Sequence, residues 1–89
     1  MRRVDVVLYG RPGCHLCDEA RGAIAEIAAG GPWDVRLREV DIERDDDLFR
    51  RYLERIPVVA VDGEVVSELI PDRSALRERI ATVAADGQD

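Results

Sequence analysis

Lysine is missing altogether, and all 13 basic side chains are arginine. Genome composition bias accounts for that most simply, so no function is read from it. Cysteine is nearly missing too. The two that occur, Cys14 and Cys17, are three positions apart, which excludes a framework of disulfides tying distant parts of the chain together. Long apolar runs are also lacking. The longest, Ile56 to Val61, falls far short of the ~20 residues that cross a bilayer as a helix. Positive charge is in deficit, with 13 basic against 19 acidic residues and a net charge of −6. A chain so charged repels phosphate backbones and anionic headgroups, which argues against nucleic acid and membrane as partners. The opening Met1-Arg2-Arg3-Val4-Asp5 puts a carboxylate where an export signal needs its apolar stretch, so a cytoplasmic location is expected. In that compartment a permanent structural disulfide is unusual, and the cysteine pair asks for a chemical explanation.

The 89 residues suit one domain over residues 1–89, and 46% hydrophobic content supplies a core for it. Val4 to Tyr9 reads as a strand closed by the breakers Gly10-Arg11-Pro12-Gly13. Leu16, Ala20, Ala23, Ile24, Ile27 and Ala28 then recur at helical steps until Gly30-Gly31-Pro32 stops them. Alternation around Val35, Leu37 and Val40 predicts a partly exposed strand. Asp45-Asp46-Asp47 supplies a cap and favourable charge for a second helix carrying Leu48, Phe49, Tyr52 and Leu53. Pro57 opens Val58 to Val61, and Asp62-Gly63 is a two-residue hairpin signal leading into Glu64-Val65-Val66. A last helix starts at Pro71-Asp72 with Asp72 as its cap and Leu76, Ile80 and Val83 as its apolar stripe, and residues 85–89 are expected to fray. The order β-α-β-α-β-β-α predicts an α/β fold, a four-stranded mixed sheet flanked by helices, with a right-handed crossover joining the first two strands in parallel.

Two cysteines separated by two residues at a helix start can bond to each other and share the field of unpaired backbone amides. Those amides and the helix dipole favour a thiolate at Cys14, lowering an ordinary thiol pKa of ~8.5 towards ~3.5–7.5. Cys14 is the candidate nucleophile. Cys17, one turn further in, is the candidate resolving thiol that attacks the mixed disulfide at Cys14. Arg11 either adds positive charge beside the thiolate, receives an anionic substrate, or is merely solvated. Asp18, four residues after Cys14, places a carboxylate on the same helical face and opposes the thiolate. His15 points about 100° around the helix from either sulfur and is expected to modulate it weakly from the surface. A zinc site would need four ligands, and this chain offers Cys14, Cys17 and at most His15, so no metal is assigned.

Leu8-Tyr9-Gly10-Arg11-Pro12-Gly13-Cys14-His15-Leu16-Cys17, with Ile56-Pro57-Val58-Val59 about forty residues later, resembles the glutaredoxin family of the thioredoxin superfamily, and in particular its small bacterial glutaredoxin-like proteins. The resemblance runs from Val4 to about Ala84. It implies a thioredoxin-like fold, a cis peptide at Ile56-Pro57 facing the cysteines, and docking of an extended substrate chain along the backbone around Val58. It also implies that Arg11, with Arg55 or Arg51, holds the carboxylates of glutathione. The implied activity is dithiol reduction of protein disulfides or glutathione mixed disulfides by a monomer with no tightly bound cofactor, with glutathione as a possible reductant.

The family's Gly-Gly pair after the hairpin is replaced here by Ser67-Glu68-Leu69-Ile70-Pro71-Asp72. That exchange adds charge and bulk where glutathione's γ-glutamyl end would be gripped, and reductants other than glutathione fit as well. The competing readings are an iron–sulfur cluster dimer held by Cys14 and glutathione, and a thioredoxin-fold interaction module in which the cysteine pair is incidental.

Overall fold

The computed structural model describes residues 2–86. Strand β1 (Arg3–Gly10) leads into helix α1 (His15–Ala29), and β2 (Asp34–Asp41) returns parallel to β1. A single 3₁₀ turn (Ile42–Arg44) connects to helix α2 (Asp46–Tyr52), followed by β3 (Val58–Val61), β4 (Glu64–Glu68) and α3 (Arg73–Asp86). The sheet order is β2-β1-β3-β4, with β3 antiparallel to both of its neighbours. This is the expected four-stranded mixed sheet.

Alternation along the strands divides the interior into two layers. Val4, Val6 and Leu8 of β1 and Val59 and Val61 of β3 face α1 and α3, where Ala20, Ile24, Ile27, Leu76, Ile80 and Val83 complete the larger cluster. Val58 and Tyr9 face the opposite way, onto Ile42, Tyr52 and the α2 side chains Leu48 and Phe49. All four residues of β3 are buried, as a strand covered on both faces requires. β2 lies at one edge and is mostly exposed, and its run of Arg and Glu blunts that edge against further pairing.

The predicted elements need three corrections. Leu16 was expected in the apolar stripe of α1 but is 37% exposed, and Cys17 takes the buried place instead, at 3%. The expected fraying begins too early, because Ala85 and Asp86 are still helical; residues 87–89 lie outside the described chain. The turn that buries Ile42 completely was not anticipated. It has no repeating pattern to announce it.

Caps do much of the local work. Asp72 Oδ1 accepts from the amide of Ala75 at 3.0 Å, while the amide of Asp72 itself donates to the buried Ser67 Oγ at 3.0 Å, tying β4 to the start of α3. The Asp62-Gly63 turn takes positive φ at both residues, 52° and 87°, the geometry that lets two strands twist together across two residues. Of the three consecutive aspartates, it is Asp45 that caps α2, accepting from Asp47 N at 2.9 Å and Leu48 N at 3.1 Å. Asp45→Ala is expected to cost about 1 kcal/mol of stability. Asp46→Ala, which loses only an interaction with the helix dipole, is expected to cost less. Urea midpoints of the two variants measure the difference.

Candidate active site at the end of the central strands

The sheet register gathers the site. Tyr9 of β1 pairs with Val58 of β3, and Val58 pairs with Glu68 of β4, so three chain segments leave the sheet at one end. These are the loop from Gly10 to Cys14, the Ile56-Pro57 peptide and the stretch from Glu68 to Ile70. The Ile56–Pro57 bond is cis. Pro57 and Val58 are buried and Ile56 is half-buried, packed against the Tyr52 cluster.

Gly13 turns the chain with φ +76°, and Cys14 becomes the N-cap of α1 in extended geometry. Its Sγ accepts a hydrogen bond from the backbone amide of Cys17 at 3.1 Å. A sulfur therefore occupies the position where helices ordinarily place a Ser or Asp oxygen, and negative charge there is favoured by the free amides. Cys14 and Cys17 are joined by a disulfide, with Cα atoms 5.2 Å apart, inside the range such bonds span. The two sulfurs differ in access. Cys14 is half-buried and Cys17 almost completely enclosed.

Cys17 owes its position to Gly10. A Cβ built on Gly10 would stand 2.8 Å from Cys17 Sγ and 3.3 Å from Cys17 Cβ, so the end of β1 must lack a side chain for the first turn of α1 to settle. A cleft of about 230 Å³ on the β2 side is lined by Cys17 with, among others, Gly10, Arg21, Glu39 and Asp41. Arg21 bridges two carboxylates: Nε donates to Glu39 at 2.9 Å and a terminal nitrogen donates to Asp18 at 2.8 Å. The Arg21 guanidinium is held above its usual pKa, first by Glu39 and then by Asp18. Sequence reasoning missed Gly10, Arg21 and Glu39. The first was visible only as a breaker, and the ion network spans 18 residues and depends on the crossover.

The candidate modulators fall differently. His15 is exposed and pairs with Glu19 at 3.4 Å, away from the sulfurs. Asp18, expected to oppose the Cys14 thiolate, has its carboxylate paired with Arg21 at 2.8 Å, a countercharge that weakens its field. Arg11 stands in the loop 3.9 Å from Glu43. Arg55 is committed to Glu68 by a two-point pair, and its guanidinium and that of Arg51 lie over the Tyr52 ring at 5.5 and 5.8 Å. That pair raises the pKa of Arg55 and lowers that of Glu68. Among the described residues no group of three or more His, Cys, Asp or Glu side chains is arranged to hold a metal ion, and no helix is long and apolar enough to cross a membrane.

A family profile described as Glutaredoxin-like domain (DUF836) matches residues 5–82. The chain belongs to this glutaredoxin-like family. A glutaredoxin from Haemophilus influenzae is 29% identical over 86 residues, covering 89% of this chain and 98% of that protein. The solution structure of protein Ne2328 from Nitrosomonas europaea superposes with a TM-score of 0.78 at 23% identity, over 90% of this chain and 94% of that one. The X-ray structure of protein XcR50 from X. campestris gives 0.69 at 32% identity, over 86% and 96%. Solved thioredoxins from Plasmodium falciparum, Saccharomyces cerevisiae and Halobacterium salinarum give TM-scores of 0.59, 0.62 and 0.60 at 19%, 19% and 23% identity, a likeness of fold alone. A thioredoxin-like fold in a glutaredoxin-like chain with a bonded Cys-x-x-Cys pair supports thiol–disulfide oxidoreductase chemistry in general.

Gly10→Ala is expected to destabilise the oxidised glutaredoxin-like protein by about 1–3 kcal/mol through overpacking against Cys17. The loss should shrink after reduction, when the freed Cys17 side chain can rotate away. Denaturant unfolding of both redox forms measures it, and equal losses in the two forms would contradict a contact specific to the bonded pair.

Proposed function

We propose that this chain is a dithiol oxidoreductase that reduces protein disulfides, and glutathione mixed disulfides less readily, with Cys14 attacking and Cys17 resolving. One observation carries the reading: the accessible sulfur of the pair is the helix cap that receives a backbone N–H, and its partner is enclosed behind it. The amide of Cys17 and the dipole of α1 stabilise negative charge at Cys14 Sγ, which favours Cys14 as the attacking sulfur.

In the reductive direction the Cys14 thiolate attacks one sulfur of the substrate disulfide. The substrate S–S bond breaks, a Cys14–substrate bond forms, and one substrate thiolate leaves and takes a proton. Cys17 then loses its proton and attacks Cys14 Sγ, releasing the second substrate thiol and leaving the Cys14–Cys17 disulfide. Two electrons pass from the dithiol to the substrate, and an external thiol reductant must restore them. Glutathione is one candidate. Ile56, Pro57 and Val58, at the same end of the sheet as the cysteines, form the ledge against which a substrate chain lies while its disulfide meets Cys14. The protein acts as a monomer in the cytoplasm, without a tightly bound cofactor.

Cys14→Ser is expected to abolish reduction of disulfide substrates. Cys17→Ser is expected to leave the first attack intact and to accumulate a stable mixed disulfide, read as a mass increase equal to one substrate thiol and reversed by dithiothreitol. Trapping through Cys17 in a Cys14→Ser variant at the same rate would reverse the assigned roles.

A further inference from the structure

We infer that Glu68 sets the charge selectivity of the site: by holding Arg55 in an internal ion pair, it withdraws that cation from substrates and directs the protein to disulfides with uncharged or apolar flanks rather than carboxylate-bearing ones. The inference rests on the oxidoreductase reading and deepens it.

Arg11 and Arg55 stand at the end of the sheet where the cysteines lie. Arg11 belongs to the loop before Cys14, and Arg55 precedes the Ile56-Pro57 peptide. Their commitments are unequal. Among the described residues Arg11 has only the 3.9 Å approach of Glu43, too long for a hydrogen bond. Arg55 Nε donates to Glu68 Oε1 at 3.1 Å, and a terminal nitrogen donates to Oε2, the two-point geometry in which a guanidinium binds carboxylate best. Arg55 also lies over the Tyr52 ring at 5.5 Å, and its backbone carbonyl accepts from the amide of Leu69 at 3.0 Å. The pair is thus held from the side-chain end and from the backbone end.

Glu68 reaches Arg55 because of an irregularity in the hairpin. Val61 pairs with Glu64 and Ala60 with Val65, but Val59 pairs with Ser67 and Val58 with Glu68, so Val66 is an extra residue on β4. A regular ladder would set Ser67 opposite Val58. Bulges of this kind re-aim side chains, and here the bulge brings a carboxylate beside the residue that follows Pro57. The positions that follow are apolar and open. Leu69 and Ile70 are 49% and 75% exposed, and with Leu16 at 37% they make up three of the five large apolar side chains exposed among the described residues.

An incoming carboxylate must displace one that is tethered. A short tether gives Glu68 an effective concentration on the order of millimolar, available at all times. An uncharged flank meets no such competitor and finds apolar surface at the same end of the sheet. The pKa directions agree, with Glu68 lowered and Arg55 raised by their mutual hydrogen bonds.

The test uses pre-reduced protein and two small disulfides of similar size, the neutral bis(2-hydroxyethyl) disulfide and the dianionic 3,3′-dithiodipropionate. Second-order rate constants are taken from the loss of protein thiols by quenched alkylation, and the readout is the anionic-to-neutral rate ratio. Glu68→Gln is expected to raise that ratio roughly 3- to 5-fold, the factor equivalent to one exposed ion pair. In an Arg55→Gln background the same substitution is expected to change the ratio less than 1.5-fold. A ratio unmoved by Glu68→Gln would overturn the inference, as would an undiminished rise in the Arg55→Gln background, which would assign the effect to the general field of Glu68. If the wild-type protein reduced neither disulfide while its thiols were intact, the oxidoreductase reading itself would fail and take this one with it.

Discussion

Cys17 Sγ rests over the bare Cα of Gly10, and the rest of the site is arranged around that contact. It lets the first turn of α1 sit down on the end of β1, encloses one sulfur and leaves the other at the helix cap. Had β1 ended in a residue with a side chain, the Cys17 side chain would have to shift. The difference between the two sulfurs therefore comes from packing at one glycine rather than from any special chemistry of the cysteines themselves.

Electrostatics then act on a geometry already fixed. The N-terminal amides of α1 favour charge at Cys14, and four carboxylates of the surrounding elements are paired: Asp18 and Glu39 with Arg21, Glu68 with Arg55, Glu19 with His15. Exposed pairs of this sort add little to stability, typically 0–1 kcal/mol each. Their importance lies in what they leave open. In a chain of net charge −6, three of these four carboxylates face an arginine and the fourth faces His15.

Much of this was legible in the sequence, for reasons that can be named. The β1–α1 junction was readable because breakers, a cysteine spacing and a helical period coincide within fifteen residues. The hairpin was readable because Asp-Gly admits few other conformations. Leu16 misled, since helical spacing alone does not say which of two neighbouring apolar residues, Leu16 or Cys17, faces the sheet. The Arg55–Glu68 pair was hidden for a different reason: it depends on an extra residue in β4, and nothing in Glu64-Val65-Val66-Ser67-Glu68 marks Val66 as the one left unpaired. The 3₁₀ turn that buries Ile42 is three residues long, too short for any periodicity to register.

Leu69 adopts φ 61°, a left-handed conformation that costs a residue with a side chain about 1–2 kcal/mol and a glycine almost nothing. Its amide is nonetheless bonded to Arg55, and its side chain is half in solvent. The same Cα thus carries two opposed demands. Backbone ease calls for glycine there, while apolar surface at the end of β4 calls for leucine. Glycine at this position would gain conformational ease and lose apolar surface in one step, so the two properties cannot be adjusted separately here.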